Sequence, residues 1–185
     1  MSTETTRNFA VQAADWKRDK DTLRALRETV FIVEQGVPRE IEWDDCDEDA
    51  LHVLGRLNDT PVACGRLLAS GKIARMAVLA EHRGHGYGAA LLEALVTAAR
   101  ERGLSHVYLH AQQHAAAFYA RAGFETEGEP FEEAGIAHVA MRRHTGLGKV
   151  YANGIAYPQA FAQWAVALCN EASREICILS HDLDH

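Results

Sequence analysis

The chain has 185 residues, 48% apolar and 24% charged, with a formal net charge of -7, a balance that fits one globular domain with an appendage and a sizeable core. The negative balance excludes general binding to nucleic-acid phosphates, and no apolar run approaches the roughly 18 residues that cross a bilayer. The N-terminal MSTETTRNFAVQ has neither the basic start nor the apolar centre of a signal peptide, and Cys46, Cys64, Cys169 and Cys177 show no CxxC spacing, so neither a zinc site nor a disulfide framework is expected and a reducing cytoplasm is.

In chain order, NFAVQAA (8–14) predicts a first strand. From Asp21, DTLRALRETVFIVEQ carries Leu23, Leu26, Val30 and Val33 at helical spacing behind an acidic start. The stretch Glu40 to Asp49 holds seven carboxylates in ten residues. It reads either as a solvated loop or as an acidic rim that draws in a cationic amine. A calcium loop is disfavoured, because Ala50 stands where the turn glycine belongs and Arg56 where the bidentate glutamate belongs. ALHVLGRL (50–57) and PVACGRLLAS (61–70) are strands joined by the hairpin turn NDT, and GKIARMAVL (71–79) is another strand.

A helix follows over 88–103, then a strand HVYLHA (106–111), a short helix QHAAAFYARAG (113–123) and a strand IAHVAMRR (136–143). This is a mixed α/β unit over residues 1–144. The glycine-rich 145–158 predicts a linker, 157–172 a helix behind Pro158, and REICILSHDLDH (174–185) a strand. These last elements read as the start of a truncated second domain, or as an embellishment. EICILS would then be covered or paired with another copy in a homodimer.

The stretch RGHGYGAALLEAL (83–95) places Gly84, Gly86 and Gly88 at the doorway of a helix. A tight turn that binds nothing is one reading. Gly84-x-Gly86-x-x-Ala89 also fits a loose dinucleotide fingerprint. That fingerprint belongs after the first strand of a unit, with a ribose-binding carboxylate about 20 residues on. Here four strands precede it, and the next strand carries Leu109-His110. A phosphate-loop NTPase lacks its Lys-Ser or Lys-Thr. The third reading is an anion cradle of bare backbone N–H groups at a helix start, with Arg83 as a cation at its lip.

RMAVLAEHRGHGYGAALL resembles the acyl-coenzyme A segment of the GNAT superfamily of N-acetyltransferases, with Arg83, Gly86 and Gly88 matching (Arg/Gln)-x-x-Gly-x-(Gly/Ala). QQHAAAFYARAGF resembles the family's later element through Ala115, Tyr119, Gly123 and Phe124, with Gln112 in place of the usual Asn. VFIVEQ (30–35), EWDDCDEDALH (42–52) and EEAGIAHVAMRR (132–143) resemble the ElaA-like branch, which usually has Pro where this chain has Ala137. The resemblance covers roughly residues 5 to 144. It implies a mixed, mostly antiparallel sheet flanked by helices, with acetyl-CoA as co-substrate and no metal. The loop Arg83, Gly84, His85, Gly86, Tyr87, Gly88 and Ala89 would hold the pyrophosphate. The backbone of Met76, Ala77 and Val78 would pair with the pantetheine arm, and Gln112 would join the coenzyme site.

Acetyl transfer to an amine needs a backbone donor for the thioester carbonyl, a base for the amine and a proton donor for the departing sulfur. Val78 N–H is the candidate donor. Tyr119 is the candidate acid, although a core aromatic on an apolar helix face reads equally from the sequence. Glu34, His52, His110, Glu133 and His138 are candidate bases; Glu34 and His138 stand out because they lie in branch motifs. The pairs His82/His85 and His110/His114 have ligand-like spacing but no third ligand nearby. No cysteine sits in either motif to carry the acyl group, so direct transfer in a ternary complex is expected. The acceptor is a primary amine, a small molecule or a protein lysine. The rival readings are a non-catalytic acyl-CoA sensor and an interaction module.

Overall fold

The computed structural model describes residues 8–146 in full, together with the backbone of residues 150–152 and 155–157. Two compact units divide the chain, Met1–Thr145 and Gly146–His185.

In the first unit, β1 (Phe9–Ala14) leads into α1 (Trp16–Arg27). The helix starts before the expected Asp21. Asp15 accepts from Arg18 N–H at 3.0 Å while Asp19 accepts from Asp15 N–H at 2.9 Å, a reciprocal cap that satisfies two end donors without any apolar signal. From Glu28 to Glu34 the coil widens into a π-helix, with Gln35 N–H reaching back to the Val30 carbonyl at 3.2 Å. Such turns favour functional sites, and this one delivers Glu34 and Gln35. The short α2 (Arg39–Glu42) follows.

Strands β2 (Leu51–Leu57), β3 (Thr60–Leu67) and β4 (Ile73–Val78) join β1 in an antiparallel sheet of order β1-β2-β3-β4. Asn58 and Asp59 both take positive φ, 47° and 68°, the conformation that a two-residue hairpin needs. Residues alternate across the sheet, so its two faces bury different partners. Val53 and Ala63 pack under Leu91, Leu92, Leu95 and Val96 of α3 (Tyr87–Glu101), while Leu54, Cys64 and Ala77 pack under Trp16, Leu23, Leu26 and Val30.

A second antiparallel sheet has the order β5-β7-β6, formed by β5 (His106–Gln112), β6 (Glu125–Glu133) and β7 (Ile136–His144). The helix α4 (Ala116–Arg121) joins β5 to β6. The fold is therefore the expected mixed α/β architecture. Strand β6 was not expected. It is an edge strand exposed along nearly its whole length, so ETEGEPFEE shows no apolar alternation, and its pairing with β7 is broken by an irregularity between Glu127 and Phe131.

In the second unit, Val150–Ala152 (β8) and Ile155–Tyr157 (β9) pair antiparallel. The stretch read as a linker thus holds a hairpin. The helix expected beyond residue 157 and the strand over 174–185 lie outside the described residues. Among the described residues no helix is long and apolar enough to cross a membrane.

Candidate active site

The two sheets of the first unit meet where β4 and β5 begin side by side and parallel. Lys72 bridges to Tyr108, and Tyr108 N–H donates to the Gly71 carbonyl at 3.1 Å. No ladder continues beyond, so the strands diverge and leave a cleft of about 940 Å³. Its walls come from β4, the turn after it, the start of α3, α4, the end of the π-helix and one face of the second sheet.

On the β4 wall, Ala74 pairs with Arg66 and Ala77 with Cys64, so Arg75 and Met76 together oppose Gly65. This is a β-bulge, and Arg75 sits in it at φ 53°, a conformation that costs a non-glycine residue about 1–3 kcal/mol unless its surroundings enforce it. They do. The Arg75 guanidinium donates to the Ile41 carbonyl at 2.9 Å and pairs with Glu42 at 2.9 Å and Asp44 at 3.0 Å. Past the bulge Leu79 N–H bonds the Val62 carbonyl at 3.0 Å. Because successive amides alternate, Val78 N–H faces away from β3, on the open side.

At the glycine turn, Gly84 and Gly86 take φ 79° and 82°. Gly86 is the helix N-cap and provides no side-chain cap. The first helical bond is Ala90 N–H to the Gly86 carbonyl at 3.1 Å, which leaves the amides of Tyr87, Gly88 and Ala89 outside the helix's own bonding. A Cβ at Gly84 or Gly86 would meet no protein atom within 4 Å. One at Gly88 would reach only ordinary contact, 3.5 Å from Phe118. Protein packing therefore does not demand glycine at position 88. The bare amides and the helix dipole fit an anionic pyrophosphate. The Tyr87 ring is turned into the core and stacks on Phe9 with centroids 4.0 Å apart, so only its backbone is available to a ligand. His85 donates from Nδ1 to the Arg83 carbonyl at 2.8 Å.

Two of the sequence candidates meet each other. Arg83 donates to both oxygens of Glu34 at 2.6 Å, and its Nε to the Val78 carbonyl at 2.9 Å. The hydrogen bonds from Arg83 hold the Glu34 carboxyl below its ordinary range. Next to this pair, the Gln112 amide donates to the Gln35 side chain at 3.0 Å, tying β5 to the π-helix.

Tyr119 lies on α4 in the cleft wall, with its ring edge-on to Phe118 and Phe124. Burial pushes its phenol up to about 12. On the second sheet, Gln112 pairs with His138, His110 with Ala140 and Phe131 with His138. Alternate residues share a face, so His110, Gln112, His138, Phe131 and Glu133 stand together on one face. The other face buries Val107, Leu109, Ala111, Val139 and Met141 under α3. His138 donates from Nδ1 to the Ile136 carbonyl at 2.8 Å, which leaves Nε2 of the neutral ring as a lone-pair acceptor. His110 Nδ1–H donates to Glu133 at 2.8 Å, and Lys72 Nζ is 3.4 Å from the same nitrogen. At Glu133 burial acts to raise the carboxyl, but the His110 hydrogen bond and the nearby charges of Lys72 and the histidines prevail and lower it.

His52 does not join this group. It is buried against Trp16, 4.9 Å between centroids, and its Nε2 donates to the Asp47 carbonyl at 2.8 Å. Nor does the acidic stretch form a simple solvated loop or a free acidic rim. Arg27 binds Glu42 at 2.5 Å and Asp47 at 2.7 Å, and Arg66 binds Asp44 and Asp47 at 2.6 Å. Glu42, Asp47, Arg27 and Arg66 are all buried, so three of the seven carboxylates, Glu42, Asp44 and Asp47, brace the fold and the β4 bulge, while Glu40, Asp45, Glu48 and Asp49 are exposed. Sequence reasoning did not find Lys72, Gln35 or Phe131. Gln35 lay inside the VFIVEQ motif, but Phe131 and Lys72 matter only through neighbours distant in sequence. Among the described residues no group of three or more His, Cys, Asp or Glu side chains is placed to hold a metal ion.

Two sheets parted over a cleft, with a bare-amide turn at its mouth, define an acyltransferase fold. The chain belongs to the GNAT acetyltransferase family: residues 18–145 match the Acetyltransferase (GNAT) domain. Protein ElaA of Escherichia coli (strain K12) is 39% identical over 129 residues, 65% of this chain and 84% of that protein. The crystal structure of Escherichia coli ElaA aligns with a TM-score of 0.66 at 33% identity, over 74% of this chain and all (100%) of that one. The uncharacterized N-acetyltransferase YjcF of Bacillus subtilis (strain 168) is 36% identical over 138 residues, 72% of this chain and 98% of that one. An acyl-CoA N-acyltransferase from Pseudomonas aeruginosa aligns with a TM-score of 0.66 at 32% identity, over 74% and 99% of the two chains. The resemblance to this family and its ElaA-like branch is borne out.

Proposed function

We propose that the protein transfers the acetyl group of acetyl-CoA to a primary amine, on a small molecule or a protein lysine, directly and in a ternary complex. The observation that carries this reading is that the unshielded amides of Tyr87, Gly88 and Ala89, behind Gly84 and Gly86, open onto the same cleft as Val78, Tyr119 and His138. Acetyl-CoA supplies the activated thioester. The amides of His85, Gly86, Tyr87, Gly88 and Ala89 hold its pyrophosphate, with Gly84 keeping the approach open and Arg83 at the lip. The backbone of Met76 and Ala77 lies along the pantetheine arm, and Gln112 flanks it. Val78 N–H donates to the carbonyl oxygen as negative charge develops there.

His138 Nε2 takes one proton from the incoming ammonium, and the freed amine attacks the carbonyl carbon. The C–N bond forms and the C–S bond breaks. Tyr119, which keeps its proton at neutral pH, donates to the departing sulfur; the second amine proton replaces the one it gives. The Glu34 carboxylate is engaged by both terminal nitrogens of Arg83, so it competes with the coenzyme phosphates for that cation and leaves the incoming amine to His138.

Calorimetry with acetyl-CoA, followed by thiol release with a panel of amines, tests this reading. Saturation at 100 times Kd should add about 2.7 kcal/mol of stability. Absence of binding at millimolar acetyl-CoA would overturn it. Binding without thiol release for any amine would favour a sensor instead.

A further inference from the structure

Among the described residues three carboxylates line the cleft: Glu34, Glu42 and Glu133. Arg83 grips Glu34 through both oxygens, and Arg27 and Arg75 enclose Glu42. Among the described residues Glu133 has no arginine partner; it pairs with the imidazole of His110, at 2.8 Å. The lining cations divide in the same way. Arg75 and Arg83 are committed to those ion pairs, whereas Lys72 and Arg121 have no ion-pair partner among the described residues. Arg121 ends α4. Lys72 stands at the root of β4, its Nζ 3.4 Å from the same His110 nitrogen that Glu133 accepts from. A cation outside any ion pair among the described residues and a carboxylate that none of their arginines engages thus meet at one ring nitrogen, within the span of one small molecule.

We infer that Lys72, His110 and Glu133 are the acceptor-recognition cluster, and that the acceptor is a small primary amine that also carries a carboxylate, an amino acid or a close analogue. The inference rests on the transferase reading above and narrows it. The acceptor's ammonium sits on Glu133 and its carboxylate on Lys72, with a charge-assisted hydrogen bond at each end. His110 is a positioning residue: its hydrogen bond fixes the Glu133 carboxylate, and Phe131, edge-on at 4.9 Å, steadies the ring. A polyamine would bring a second ammonium toward Lys72 and meet like-charge repulsion. Within the cleft the acidic stretch provides no compensating attraction, because Glu42 is its one carboxylate in the lining and arginines already engage it.

The test is thiol-release kinetics on the full chain with acetyl-CoA, using α-amino acids, their carboxamides, putrescine and spermidine as acceptors. At least one amino acid should exceed its own carboxamide in kcat/KM by about ten- to hundredfold. Lys72→Met should collapse that ratio toward one, and Lys72→Arg should restore most of it, with acetyl-CoA affinity by calorimetry unchanged in both. Preference for carboxamides or polyamines, no turnover of any amino acid, or a ratio untouched by Lys72→Met would each overturn the inference. Failure to bind acetyl-CoA at all would overturn the transferase reading as well, so the two failures are distinguishable.

Discussion

Glu34 and Arg83, 49 residues apart, close on each other through two hydrogen bonds of 2.6 Å. The pair joins the end of the π-helix to the lip of the glycine turn. It also sets two proposed functions against each other, because a guanidinium that already holds a carboxylate has less to offer a phosphate. Glu34→Gln should therefore tighten acetyl-CoA binding a few-fold at low salt, while Arg83→Gln should weaken it. Calorimetry at two ionic strengths measures both. Weaker binding in Glu34→Gln would show that the carboxylate poises Arg83 rather than competing for it.

Gly88→Ala separates ligand approach from folding. The added methyl meets Phe118 at an ordinary 3.5 Å, and alanine is about 1 kcal/mol better than glycine inside a helix. Thermal stability should hold or rise, yet acetyl-CoA affinity should fall about tenfold or more, since the methyl shields the amides that would cradle the pyrophosphate. Unchanged affinity would remove this glycine from the coenzyme site.

Tyr119→Phe keeps the edge-on contacts with Phe118 and Phe124 and deletes only the hydroxyl. Turnover should drop about 10²-fold or more with acetyl-CoA affinity nearly intact. An unchanged kcat would leave Tyr119 as an aromatic of the cleft wall and nothing more.

The buried arginine–carboxylate network carries a pH signature. At Asp44 burial acts to raise the carboxyl, but the hydrogen bonds and charge of Arg66, with the charge of Arg75, bring it down from 3.8 to about 2. A depressed folded-state value stabilises the fold above the unfolded-state pKa, and this contribution is lost as pH falls through 2. Between pH 4 and 2, wild type should lose up to about 2 kcal/mol more unfolding free energy than Asp44→Asn, read from urea titrations. Parallel pH profiles for the two proteins would contradict the assignment.

Arg27 is 1% exposed and touches Glu42 and Asp47 together. Arg27→Met leaves both carboxylates short of a partner in the interior. It should cost about 3–5 kcal/mol, seen as a lower urea midpoint at unchanged slope. A loss within about 0.5 kcal/mol would mean that Arg66 and Arg75 carry the carboxylates without it.

The glycine turn, the strands β2 to β4, the helix α3 and the motif around Tyr119 were legible in the sequence because each is local. Apolar period, turn chemistry and a short motif are complete within a few neighbouring residues. Strand β6 was hidden because among the described residues it pairs with β7 alone and is exposed at every position but Phe131, so nothing in ETEGEPFEE had to alternate. The acidic stretch was misread for a related reason. Seven carboxylates in ten residues say nothing about Arg27, Arg66 and Arg75, which reach three of them from α1, β3 and β4.

By itself the sequence determined the family, the mixed α/β architecture and the bare-backbone doorway of α3, since steric freedom and hydrophobic spacing are encoded residue by residue. Only the tertiary structure decided which charges are free. It matched Arg83 to Glu34 and three arginines to the acidic stretch, and it brought Lys72 and Glu133 to the same nitrogen of His110. Ion pairing depends on distances of a few ångström between side chains tens of residues apart, and those distances exist only once the two sheets have met and parted over the cleft.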